Sequence, residues 1–134
     1  MCPSGGGYNT LVDVVWLRFE RGTAAGIARR AVREALDGWK LAHLADDAML
    51  VTTELMQNVV RHTGNGGELL VRRSGDALRI EVADTSVAKP TVRAPDPART
   101  GGRGLSIVAA VARGWGTLAR KGQTGKIVWA ELAA

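Results

Sequence analysis

Thr53-Glu54-Leu55-Met56-Gln57-Asn58-Val59-Val60-Arg61-His62-Thr63 is the stretch whose period decides the fold. Extended upstream, its apolar positions Leu44, Ala48, Val51, Leu55 and Val59 recur at steps of four, three, four and four. That is the spacing of one face of an α-helix, and it predicts a helix from about Leu44 to His62. At 100° per residue, Asp47, Glu54, Asn58 and Arg61 form a polar strip beside the apolar stripe. Glu54 and Asn58 stand one turn apart. A carboxylate and a carboxamide so placed can hold a hydrated hard cation and orient a water or hydroxyl. The plain alternative is that any amphipathic helix carries polar residues at its boundary.

Working outward, Leu11 to Glu20 is short and rich in β-branched and aromatic residues, which predicts a strand. Thr23 is a candidate N-cap for a helix over Ala24 to Trp39, with apolar positions Ile27, Ala31, Val32, Ala35 and Leu36. A turn near Gly38 to Leu41 joins the two helices. Downstream, Thr63-Gly64-Asn65-Gly66-Gly67 stops the long helix. Glu68 to Arg73 and Leu78 to Asp84, joined by Ser74-Gly75-Asp76, read as a hairpin. Thr85 to Gly104 is rich in Pro, Gly and Arg and has no period, the pattern of a functional lid. Gly104 to Val111 is a short apolar helix, and Trp115 to Arg120 with Lys126 to Leu132 form a closing hairpin. Helices that do not alternate strictly with strands argue for an α+β two-layer sandwich, with the helices on one face of a mixed or antiparallel sheet.

Composition narrows the classes. The 134 residues, 46% apolar, suffice for one domain with a packed core, expected over 11–134 behind a flexible tail over 1–10. No apolar run approaches the ~20 residues of a bilayer span, and the first residues do not read as a signal peptide. A single Cys2 and two separated histidines make neither an internal disulfide nor a zinc site. A reducing cytoplasm fits. The net charge of +5 raises the question of nucleic acid. The basic residues are scattered, however, and four Trp, one Tyr and one Phe are a poor stacking set. Neither nucleic acid nor membrane is expected as a partner.

Two further features bear on chemistry. Period two places Leu78, Ile80, Val82 and Asp84 on one strand face, so Asp84 continues an inward apolar row. A carboxylate there costs roughly several kcal/mol unless something donates to it. Recognition of an amine or amide edge on a ligand, or capping of the loop's own N–H groups, would each satisfy it. Thr100-Gly101-Gly102-Arg103-Gly104-Leu105 then precedes a helix, where glycines and free N–H groups suit close approach to a phosphate, with Arg99 and Arg103 adding charge. It lacks the Gly-Lys-Ser/Thr of a Walker A loop. An ordinary turn has the same look.

Together, Glu54-Leu-Met-Gln-Asn58, then Asp84-Thr-Ser86 with Pro90, then Gly102-Arg-Gly104-Leu105 resemble, in this order, the asparagine box and the two glycine boxes of the GHKL ATPase superfamily. Gyrase, the heat-shock chaperone and histidine kinases share its Bergerat fold, in which helices cover one face of a mixed sheet. The Thr53–Thr63 helix and the closing Gly125-Lys-Ile-Val-Trp-Ala-Glu-Leu132 strand are most similar to actinobacterial anti-sigma-factor serine kinases. The resemblance spans about Leu11 to Leu132. It implies ATP and Mg²⁺ as cofactors, with Glu54 as general base and Asn58 as magnesium ligand. Nucleotide contacts would come from Asn58, Asp84, Ser86, Arg99, Gly102, Arg103, Gly104 and Leu105, Asp84 accepting from the adenine amino group. Thr85 to Gly101 would be the ATP lid. Implied partners are a STAS-domain anti-anti-sigma protein, phosphorylated on serine, and a sigma factor, with a homodimer as the assembly. A non-catalytic ATP-binding regulatory module is the alternative. Two departures stand out: Ser86 replaces the usual Gly, and Gly125-Lys126-Ile127 replaces a Gly-Thr that often supplies a hydroxyl beside adenine.

Overall fold

Alternation builds the sheet. Val15, Leu17 and Phe19 of β1 (Val14–Phe19) are buried, and the residues between them are not. The same period runs through β2 (Gly67–Ser74), β3 (Ala77–Asp84) and β5 (Lys126–Ala133). The computed structural model describes residues 13–22, 25–75, 77–84, 100–120 and 125–133, with backbone alone over 100–104. The tail expected over 1–10, the Thr23 cap and the lid residues 85–99 lie outside the described residues.

Among the described residues, five strands form one sheet in the order β1-β2-β3-β5-β4, β4 being Gly114–Ala119. Every neighbouring pair is antiparallel. Over the described residues the sheet is therefore antiparallel, one of the two arrangements the element order allows. The reason is topological: β3 and β4 run in the same direction, and β5 turns back from β4 to lie between them. Register aligns the buried side chains in cross-strand rows. Val15, Val71, Ile80 and Ala130 make one row, and Leu17, Leu69, Val82 and Val128 the next. The third row runs Phe19, Gly67, Asp84, so the aspartate ends an otherwise apolar face.

Three helices among the described residues cover that face. α1 is Ala25–Gly38, α2 is Ala45–Thr63 after a short 3-10 turn at Ala42–Leu44, and α3 is Thr100–Val111. α2 lies centrally, packed on β3 and flanked by α1 and α3. Its stripe is the one read from the sequence: Ala48, Val51, Leu55 and Val59 are all buried. On α1 the expected stripe needs a correction. Ile27 is 63% exposed, and Ala28 takes its place in the core. The wheel explains this, because Ile27 lies about 100° off the Ala28/Ala31/Val32/Ala35 direction. Apolar character alone does not place a side chain inside.

Among the described residues, no helix packs on the opposite face of the sheet. Its centre is held by Arg79, whose guanidinium lies 4.3 Å from the Trp129 ring centroid. The same group pairs with Glu81 at 2.7 Å and Glu131 at 3.4 Å. Half-buried charge of this kind suits a face packed on one side only.

Candidate functional site

The polar strip of α2 deepens toward its middle. Asp47 and Arg61 are exposed, Glu54 is half-buried, and Asn58 is only 4% exposed. Helix ends fit this placement: Asp46 and Asp47 occupy the first turn and Arg61 and His62 the last, each complementing the helix dipole. Gly64 closes the helix in the left-handed conformation, its N–H donating to the Val60 carbonyl at 2.8 Å. The Thr63 hydroxyl donates to the Val59 carbonyl at 2.8 Å, and it accepts from the Asn65 N–H at 2.9 Å.

The decisive detail is on Asn58. Its side-chain oxygen Oδ1 is buried and receives no hydrogen bond from any described residue. An unsatisfied buried acceptor costs about 1–3 kcal/mol, so a purely structural side chain here would be a poor choice. A carboxamide oxygen with free lone pairs is, in contrast, a normal ligand for a hard cation. The residues present thus fit Mg²⁺, an ion commonly held by one or two side chains together with nucleotide phosphates and water. Among the described residues no three His, Cys, Asp or Glu side chains are grouped to hold a metal by themselves.

Asp84 is 8% exposed, at the last described position of β3. Its backbone carbonyl accepts from Arg120 Nη1 at 3.0 Å. α2 packs on both β3 and α3, so the elements that carry Asp84 and the glycine segment both adjoin the helix of Glu54 and Asn58. α3 begins at Thr100, earlier than the expected Gly104. Gly101, Gly102, Arg103 and Gly104 therefore belong to the first turns of the helix, not to a turn before it. Leu105 is half-buried against the core. Ser86 and Arg99 lie outside the described residues.

Residues 20–132 match the histidine kinase-like ATPase domain family. The chain belongs to that family. No curated protein matches it closely enough to add a named relative. Membership in the histidine kinase-like ATPase domain family makes ATP the ligand class, and the site described above lies wholly within the matched span.

Two residues that the sequence did not single out adjoin the candidate site. Arg120 and Glu68 pair at 3.2 Å and sit behind Asp84. No local pattern announces them, since Arg120 is 36 residues from Asp84 and 52 from Glu68. A separate groove of about 300 Å³ is lined by Phe19, Ala25, Met56 and Val60, with Glu20, Gln57 and Arg61 at its polar rim. Met56 and Val60 lie roughly half a turn round α2 from Glu54 and Asn58, so this groove opens on a different side of the helix from those two residues. Among the described residues, no helix is long and apolar enough to cross a membrane.

Proposed function

We propose that the chain is an ATP-dependent serine kinase of the anti-sigma type, acting in the cytoplasm. It transfers the γ-phosphate of ATP to a serine of a STAS-domain anti-anti-sigma protein and regulates transcription by exchanging that partner, as a dimer, for a sigma factor. The observation that carries the reading is the buried, unpartnered Oδ1 of Asn58 one helical turn from the half-buried carboxylate of Glu54. A passive nucleotide binder needs the first group and has no use for the second.

Asn58 Oδ1 and the phosphate oxygens would hold Mg²⁺, which supplies neutralisation of the triphosphate charge. Asp84 accepts from the adenine amino group and fixes the base. The N–H groups at the start of α3, together with Arg99 and Arg103, meet the phosphates. Glu54 takes the proton from the serine hydroxyl as the new oxygen–phosphorus bond forms and the bond to ADP breaks. Positioning and charge supply most of the rate in such transfers.

The test is incubation with γ-labelled ATP and a candidate STAS partner, reading label on the partner. Glu54→Ala is expected to bind ATP normally and to transfer phosphate at least ~100-fold more slowly, the usual contribution of a general base. Tight ATP binding by the unsubstituted chain, with no transfer to any STAS partner, would instead favour a non-catalytic regulatory module.

A further inference from the structure

We propose that Arg120 is a positioning residue for Asp84, gripping the end of β3 from the uncovered face of the sheet and fixing the carboxylate for the adenine edge. The inference rests on the reading of Asp84 given above. Pairing of β3 with β5 ends at Ala83 and Ile127, while β2 still pairs with Asp84 through Gly67. On the β5 side, the Asp84 carbonyl therefore lies past the end of the ladder. Arg120 occupies that place: its Nη1 donates to the Asp84 carbonyl at 3.0 Å.

The surrounding residues are built around this contact. Gly125, just before β5, has φ +99, and a Cβ there would run into the Asp84 carbonyl oxygen. Only glycine combines that backbone conformation with so close an approach. The Arg120 N–H donates to the Gly125 carbonyl at 3.3 Å, closing the bracket round the end of β3. The other arm of the guanidinium, Nη2, reaches Glu68 on β2 at 3.2 Å. Arg120 and Glu68 side chains are 13% and 21% exposed, so this pair is sheltered from solvent screening. Arg18, 66% exposed and 3.8 Å from the same Glu68, is a weak competitor. One planar guanidinium thus ties β4 to β3 and β2 through two fixed arms, a geometry that an ammonium cannot reproduce. Asp84 is the last described residue of β3. Anchoring its carbonyl holds the backbone of Asp84 in place, and with it the Cα from which the carboxylate projects.

The readout is base selectivity, which a merely structural role would not move. Affinities of the full chain are measured by calorimetry for Mg-ATP and for the Mg-triphosphate of purine riboside, which lacks the 6-amino group. Arg120→Ala is expected to lower the preference for ATP by about tenfold, with the purine analogue bound within about threefold of its original affinity. Arg120→Lys keeps a charge beside Glu68 without the fork. It is expected to show the same loss, and it is the variant to read should Arg120→Ala fail to fold. Equal weakening of both nucleotides, or an unchanged preference, overturns the proposal. Asp84→Asn is the reference. If it abolishes the preference while the Arg120 variants keep it, the positioning role alone falls. If Asp84→Asn also keeps the preference, the adenine assignment falls and takes the positioning role with it.

Discussion

Asn58 and Asp84 reach similar depth by different routes, and their legibility differs accordingly. Asp84 continues the period-two row of Leu78, Ile80 and Val82, so its inward direction follows from strand geometry alone. Asn58 is a boundary residue on its helix wheel, and no wheel predicts that such a residue is 4% exposed with an orphaned oxygen. Its depth depends on what packs beside α2. Asn58→Leu, similar in size and without the unsatisfied acceptor, is expected to leave the unliganded unfolding free energy within about 1 kcal/mol of the original. The same variant should lose the Mg-ATP-dependent rise in melting temperature. Urea unfolding with a parallel thermal-shift titration checks both halves, and a variant that still responds to Mg-ATP would remove Asn58 from the site.

At the scale of elements, periodicity located nearly every segment, and the misplacements have physical causes. The α2 stripe is legible because it is long and uninterrupted. The shorter α1 admits an error of one residue: Ile27 looks like core by composition and lies outside it by angle. Ile27→Lys is expected to change stability by less than ~0.5 kcal/mol. Ala28→Lys, which places a charge at a position only 1% exposed, should cost several kcal/mol or prevent folding. Comparing the two denaturant midpoints tests the face assignment directly. The start of α3 was misplaced for another reason. Three glycines within five residues read as a turn, because intrinsic propensity disfavours them in a helix by ~1 kcal/mol each. Packing of α3 on α2 overrides that preference.

For the whole molecule, the consequence of a nucleotide site is linkage between binding and folding. Mg-ATP at about 100 times its dissociation constant stabilises the folded state by ~2.7 kcal/mol. For a domain of this size that is a rise of roughly 10 °C in melting temperature, and ATP with a chelator should give much less. Absence of any shift at saturating Mg-ATP would contradict nucleotide binding by this ATPase domain. By itself, the sequence determined the α+β class, the element order, the long helix, the inward Asp84 and the family resemblance. All of these rest on short-range periodicity and on motif order along the chain. The tertiary structure decided the wholly antiparallel sheet, the burial of Asn58 and the Arg120–Glu68 brace behind Asp84. Each depends on which strand lies beside which, and strand adjacency brings together residues as far as 52 apart, a separation that no local pattern encodes.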